Sequence, residues 1–435
     1  MSQAARLLSA PAPHSQRPQR ERVRLSLGQA TLVGTRREGV SRFGGIPYAQ
    51  PPVGDRRFAP PTAAPLHGEL DATALGPIAP QLPSALARVL GPQDAPQSED
   101  CLNLTVWTPA ADTQRRPVLV WLHGGAWQSG GVVNAHDGEA LARRGNVVVV
   151  GINARQGPLG WLLAEGGTPN LGLLDLELAL QWVRQHIGAF GGDAQQITAM
   201  GQSAGGSNVA ALLARGRSGI RRAILQSAPL GRGLRSPEAA QALGQALLRA
   251  AGVDTLQQAQ ILPVESLLRA QLAPAVAETL RDIGDGHALF APVREAEALP
   301  SLSPAQARQV DVLIGWNRDE MRAFAAPGAP VDEAQTEQRF AEPARQWAAR
   351  AAHSGRRAWL YRFDGLPAMA FGACHCAELP FVFGSFGAHA AAPLFQGCAG
   401  ADAQRLSQDM QASWLALVHG QALPWSPAPH AHVFA

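Results

Sequence analysis

Near the middle of the chain, Gly201-Gln202-Ser203-Ala204-Gly205 has the spacing of a nucleophile elbow. The short apolar run Ile197–Met200 comes before it, and an apolar helical stretch reaching Leu213 follows. In such a strand–turn–helix context the serine sits at the tip of a sharp turn, and glycines at both ends avoid clashes. Its hydroxyl can attack an acyl carbon if a base takes the proton and preorganised donors hold the oxyanion. Donors are offered by His123-Gly124-Gly125-Ala126-Trp127, at the end of an earlier strand. Small residues there let the N–H groups of Gly125 and Ala126 face an oxyanion, joined by the N–H of Ala204. Losing one such donor typically costs about 2.7–4 kcal/mol in the transition state. His123 precedes the donor loop and reads as structural.

Composition removes other chemistries. All 37 basic residues are arginine, so no amine is present for a Schiff base, pyridoxal phosphate anchoring, a P-loop or a Ser-x-x-Lys pair. Cys374-His375-Cys376 invites a metal reading, but structural zinc needs four ligands at wider spacing. We therefore expect neither metal nor cofactor. The formal charge of +3 is uneven. Residues 1–57 hold ten arginines against Glu21, Glu38 and Asp55, which leaves the rest mildly acidic. No aromatic residue lies among the arginines of residues 1–24, so stacking on single-stranded nucleic acid is not expected. No run of about 18 apolar residues spans a membrane. The four cysteines are too scattered for a disulfide framework. The expectation is a soluble, cytoplasmic protein that binds no nucleic acid; nothing in the sequence sets an oligomeric state.

The elements that must position these residues alternate. Pro117–His123 and Asn146–Asn153 are valine-rich runs suited to strands buried on both faces. Asp137–Arg144 and Leu171–Phe190 read as helices, and Arg222–Leu225, Val310–Gly315 and Ala358–Phe363 as further strands. Val23–Val33 partly alternates, as in an edge strand of a hairpin. Alternation of this kind predicts a doubly wound α/β sheet. Residues 1–22 are expected to form a disordered basic tail and 23–435 one domain, with a helical excursion over 236–285 that begins at the cap Ser236-Pro237.

These segments resemble the type-B carboxylesterases, the cholinesterase-like branch of the α/β-hydrolases that includes para-nitrobenzyl esterases. The likeness runs almost end to end, through GGIPYAQPP (44–52), SEDCLNLTVWTP (98–109), Trp121–Trp127, NARQGPLGWL (153–162), Asn170–Asp175, FGGD (190–193), Gly201–Gly206, Asp319-Glu320 and GACHCAELPFVFG (372–384). It implies an α/β-hydrolase fold, a mostly parallel sheet with helices on both faces. It also implies an ester hydrolase in which Ser203 is the nucleophile, Glu320 the acid and His375 the base. The oxyanion donors would be Gly125, Ala126 and Ala204. Met321 replaces the family's usual glycine after the acid, which leaves Asp319 as a second choice. Ser227 matches a supporting position behind the triad.

The resemblance also bears on substrate. The cholinesterase tryptophan has no counterpart, because residues 79–97 contain no aromatic residue, and Gln202 stands where a glutamate is common. Both changes weaken cation binding, so an uncharged, apolar small-molecule ester is expected. Trp127, Trp161, Phe324, Phe381 and Phe383 are either pocket walls or plain core. Ala79 stands where Cys101 would have its disulfide partner, so Cys101 is expected to be a free buried thiol. Only 55 residues separate Glu320 from His375, which implies a reduced cap and a more open site.

Overall fold

The computed structural model describes residues 20–92, 95–216, 219–299, 301–302, 310–326, 329–396, 398 and 400–435. Twelve strands form one sheet: β1 (Glu21–Leu27), β2 (Gln29–Arg37), β3 (Val40–Pro47), β4 (His67–Asp71), β5 (Asn103–Thr108), β6 (Arg116–Leu122), β7 (Val148–Ile152), β8 (Gly192–Gln202), β9 (Arg222–Gln226), β10 (Asp311–Asn317), β11 (Ala358–Phe363) and β12 (Ala431–Phe434). The order is β1-β2-β3-β5-β7-β6-β8-β9-β10-β11-β12, with β4 alongside β2. From β7 to β12 every neighbour is parallel; β1, β2, β3, β5 and β7 pair antiparallel.

Alternation along the central strands sorts side chains onto two faces. In β6, Val118, Val120 and Leu122 enter one core, while Leu119 and Trp121 enter the other. β7 does the same with Val148, Val150 and Ile152 against Val149. The first face is covered by the helices Leu171–His186, Ala204–Arg215 and Glu342–His353, the second by Glu139–Gly145 and Ala401–Val418. β-branched residues with both faces covered are what a parallel strand requires.

The sequence reading differs from the structure at the amino end. Val23–Val33 is not one strand: the chain reverses at Gly28, whose φ of +59° allows the tight turn, and β1 pairs back on β2. β1 begins at Glu21, inside the expected tail, while residues 1–19 lie outside the described residues. β5, β12 and the helix Ala401–Val418 carried no distinct signal in the reading above.

Among the described residues, four α-helices lie between β9 and β10: Pro237–Ala250, Leu256–Gln260, Val264–Ala270 and Pro274–Ile283. Ser236 Oγ accepts from the N–H of Ala239 at 3.1 Å, as its cap position predicts. Gly244 lets this first helix press on the segment after β7, since a Cβ there would stand 1.9 Å from the Leu163 carbonyl oxygen. Arg57 ties the proline-rich segment to the excursion. Its guanidinium donates to the carbonyls of Ala259, Gln260 and Leu262 and grips Glu99 at 2.5–2.7 Å.

The ion pair Arg155–Asp175 is fully buried, 1% and 0% exposed, and joined at 2.7 and 2.9 Å. Asp175 also accepts the backbone N–H of Arg155 at 3.1 Å. Arg155→Met would leave that carboxylate buried without its partner, and chemical denaturation should show a loss of about 3–5 kcal/mol. Arg24→Ala, which breaks an exposed pair with Glu69, should cost at most about 1 kcal/mol.

Candidate active site

The elbow is built by backbone crowding. Ser203 follows β8 with φ +56° and ψ −125°, a conformation costing a non-glycine residue about 1–3 kcal/mol. Its N–H donates to the Gln226 carbonyl at 2.8 Å, which anchors the tip to β9. A Cβ at Gly201 would lie 2.3 Å from the Gly205 carbonyl oxygen, and one at Gly205 would lie 2.0 Å from that of Leu122. Both glycines are therefore required by close approach, as the spacing implied.

His375 and Glu320 come to this serine from other strand ends. Glu320 opens the 3-10 turn after β10, and His375 lies in the loop between β11 and the short helix Leu379–Phe383. His375 Nε2 is 2.8 Å from Ser203 Oγ, and Nδ1 is 2.5 Å from Glu320 Oε2. A carboxylate accepts, so Nδ1 carries the hydrogen and Nε2 is left to receive the serine proton. Glu320 Oε1 is occupied by the backbone N–H of Asn317 at 2.9 Å. His375 and Glu320 are 1% and 0% exposed, while Ser203 is half-buried.

Asp319, the second choice for the acid, is not brought to His375. Its Oδ2 accepts the N–H of Ala373 at 3.0 Å and pairs with Arg318 at 3.0 Å. It braces the histidine loop from outside. Met321 is half-buried against the core and has no positive φ, so the loop does not need glycine there.

The loop after β6 lies against the elbow. A Cβ at Gly124 would stand 3.1 Å from Ser203 Cβ, and one at Gly125, whose φ is +119°, would stand 2.0 Å from the Ser129 carbonyl oxygen. Ala126 and Trp127 also have positive φ, 53° and 59°. This bend leaves the N–H groups of Gly125 and Ala126 without a hydrogen bond among the described residues. The N–H of Ala204 opens a helix and has no preceding turn to bond. His123 is buried beside this loop, with Nδ1 at 2.8 Å from the Gly124 carbonyl.

The five aromatic residues left open by the sequence divide. Phe381 and Phe383 are core. Trp127 is also buried, its Nε1–H donating to Asn208 at 2.9 Å, and Trp161 packs on it. Phe324 alone is at the site, 49% exposed with its ring 5.1 Å from that of His375. Phe340, which the reading missed, lies 5.4 Å away on the ring's surroundings, from a π-helical turn over Glu337–Ala341. A cavity of about 400 Å³ opens beside Gly124, Gly125 and Gln202, and no charged side chain lines it among the described residues.

A buried polar network under the histidine was also missed. Glu378, 0% exposed, accepts from Asn317 at 2.7 Å and from Gln226 at 3.2 Å, and Gln226 accepts from Trp414 at 3.1 Å. Asn317 also donates to the Cys374 carbonyl at 2.8 Å, which fixes the histidine loop. An acid three residues after His375 in an otherwise apolar stretch was the available signal. Burial raises the Glu378 carboxyl, the Asn317 hydrogen bond opposes this, and nearby Glu320 adds to it. Ser227 is buried behind the elbow, but its Oγ has no hydrogen-bond partner among the described residues. Both ring nitrogens of His375 are engaged, so Cys374 and Cys376 share no free imidazole. Cys101 is a buried free thiol, raised by desolvation.

Comparison with known proteins gives a consistent set of likenesses. A sequence model of the carboxylesterase family matches residues 19–342. A probable N-octanoylanthranilate hydrolase of Rhodococcus erythropolis is 39% identical over 79% of this chain and 81% of its own length. The para-nitrobenzyl esterase of Bacillus subtilis is 35% identical over 81% of each chain. Among solved structures, a thermophilic PNB esterase superposes with a TM-score of 0.82 at 30% identity, covering 94% of this chain and 95% of its own.

Glu378 yields a pH prediction. A carboxyl raised in the folded state contributes stability below its unfolded value, ordinarily about 4.3, and loses it as pH rises through the folded value. The melting temperature of the wild type relative to Glu378→Gln should therefore fall as pH is raised from 4 upward. Thermal unfolding of both proteins across that range checks it; a constant difference would contradict the assignment.

Proposed function

This chain belongs to the carboxylesterase family of α/β-hydrolases, and we propose that it cleaves carboxylic esters through a Ser203–His375–Glu320 triad and an acyl-enzyme intermediate. It is a carboxylic ester hydrolase; the residue roles and the substrate are our reading. The observation that carries them is the unbroken chain of short hydrogen bonds, 2.5 and 2.8 Å, that ends on the elbow serine.

In this mechanism His375 Nε2 takes the Ser203 proton as Oγ attacks the acyl carbon. Glu320 holds the imidazole in the tautomer this requires and stabilises its cation. Gly125, Ala126 and Ala204 donate their N–H groups to the tetrahedral oxyanion. The alcohol departs with the proton from His375, and water resolves the acyl-enzyme by the same steps. Every group needed belongs to the chain, so we assign no cofactor or metal.

A cavity without charged side chains among its described lining residues supports an uncharged, largely apolar ester. Pairing of Arg20, Arg24 and Arg37 with Glu139 and Glu69 supports a structural role for the basic amino end rather than nucleic-acid binding. No helix of the described residues is long and apolar enough to cross a membrane. With four buried, unpaired cysteines we place the protein in the cytoplasm. Carbamate, amide or lactone hydrolysis on the same triad is the second reading; the relative named for an N-octanoyl substrate favours including an N-acyl compound in the assay.

Hydrolysis of short p-nitrophenyl esters tests the roles. Ser203→Ala should abolish turnover. Glu320→Gln should lower kcat by on the order of 10⁴, by the precedent of removing the acid from such a triad. Asp319→Asn should lose less than about tenfold, since it touches only the outer side of the loop. Equal losses at both acids would overturn the choice of Glu320.

A further inference from the structure

The cavity beside Gly124 and Gln202 has two imidazoles for which the ester reaction has no use. His136 ends the 3-10 turn Asn134–His136, and His389 ends the turn Phe386–His389; both line the cavity. They are 7% and 3% exposed. The His136 ring is fixed between Trp121 and Phe383, with centroids 5.2 and 5.5 Å away.

Their tautomers follow from their contacts. His136 Nδ1 is 3.1 Å from the Gly131 carbonyl oxygen, and His389 Nδ1 is 3.1 Å from that of Ser385. A carbonyl can only accept, so Nδ1 carries the hydrogen in each ring. Each Nε2 is then an acceptor, and neither has a partner among the described residues. Neither is sealed off, so each keeps surface on the cavity its ring lines. Burial keeps both rings neutral, lowering His136 to about 3 and His389 below its usual value.

Gln81, on the same lining, is occupied. It donates to the carbonyls of Ala79 and Gly130 and accepts the N–H of Gly130. Leu82, Leu86, Leu90 and Leu379 make the wall apolar. Fixed acceptors in a largely apolar wall favour a partner that donates, and a cation would enter with no carboxylate among the described lining residues to offset its desolvation.

We propose that this cavity is a specificity subsite that selects esters bearing a neutral hydrogen-bond donor, a hydroxyl or N–H on an aryl or short alkyl frame, received by His136 and His389. The proposal rests on the ester hydrolase reading and adds the substrate class.

Matched esters test it with the donor on either side of the scissile bond. One pair is 4-aminobenzyl and 4-methylbenzyl acetate. The other is the p-nitrophenyl esters of 3-(4-hydroxyphenyl)propanoic and 3-(4-methylphenyl)propanoic acid. In at least one pair the donor ester should have roughly tenfold higher kcat/KM, the effect of one or two neutral hydrogen bonds. That ratio should collapse towards unity in His136→Phe or His389→Phe. It is read within each variant, with p-nitrophenyl acetate turnover reporting that the variant folds. Ratios near unity in both wild-type pairs, or a preference that survives both substitutions, would overturn the subsite. If the wild type cleaves none of these esters, p-nitrophenyl acetate included, the hydrolase reading has failed instead. Calorimetry then decides the subsite through the Kd values of 4-aminobenzyl and 4-methylbenzyl alcohol, and equal values overturn it.

Discussion

Ser203 is held at φ +56° by a turn in which two glycines are pressed to about 2 Å of where any side chain would begin. That crowding is the constraint on which the site depends. It fixes the hydroxyl at the carboxyl end of β8, and the strain is sustained because β8 lies between β6 and β9 in a sheet covered on both sides. The same close approach brings the end of β6, and with it the loop of Gly124–Trp127, against the serine.

The remaining groups arrive at the same edge. Glu320 follows β10 and His375 follows β11, so the proposed acid, base, nucleophile and donor loop all lie at the carboxyl ends of parallel strands. Ligand sites of open α/β sheets lie there because the connections leave the sheet at that edge. The loops are then tied rather than left to thermal averaging. Asn317 spans the gap by donating its backbone N–H to Glu320 and its side chain to Glu378 and the Cys374 carbonyl. Asp319 ties the loop from the solvent side by accepting the N–H of Ala373.

Electrostatics around the site separate its two ends. Beneath His375 lie the carboxyls of Glu320 and Glu378, satisfied by amides and backbone N–H groups. Across Gln202, no charged side chain lines the cavity among the described residues, and its imidazoles are neutral.

Much of this was legible in the residues. Gly201-Gln202-Ser203-Ala204-Gly205 placed Ser203 at the tip of an elbow, because only glycine tolerates the backbone contacts at its ends, and valine runs marked β6 and β7, because strands covered on both faces need no polar side. The assignments of Glu320 and His375 came from resemblance, since neither neighbours Ser203 in sequence. Only the tertiary structure separates the surroundings of Glu320 and Asp319: adjacent carboxylates differ in direction, not in type, and the turn after β10 aims one at His375 and the other at the loop's outer side. It likewise decided which aromatic residues are core, and it brought His136 and His389 together across 253 residues of chain. Such convergence has no local signal, because it follows from how the strands order themselves in the sheet and not from the spacing of residues along it.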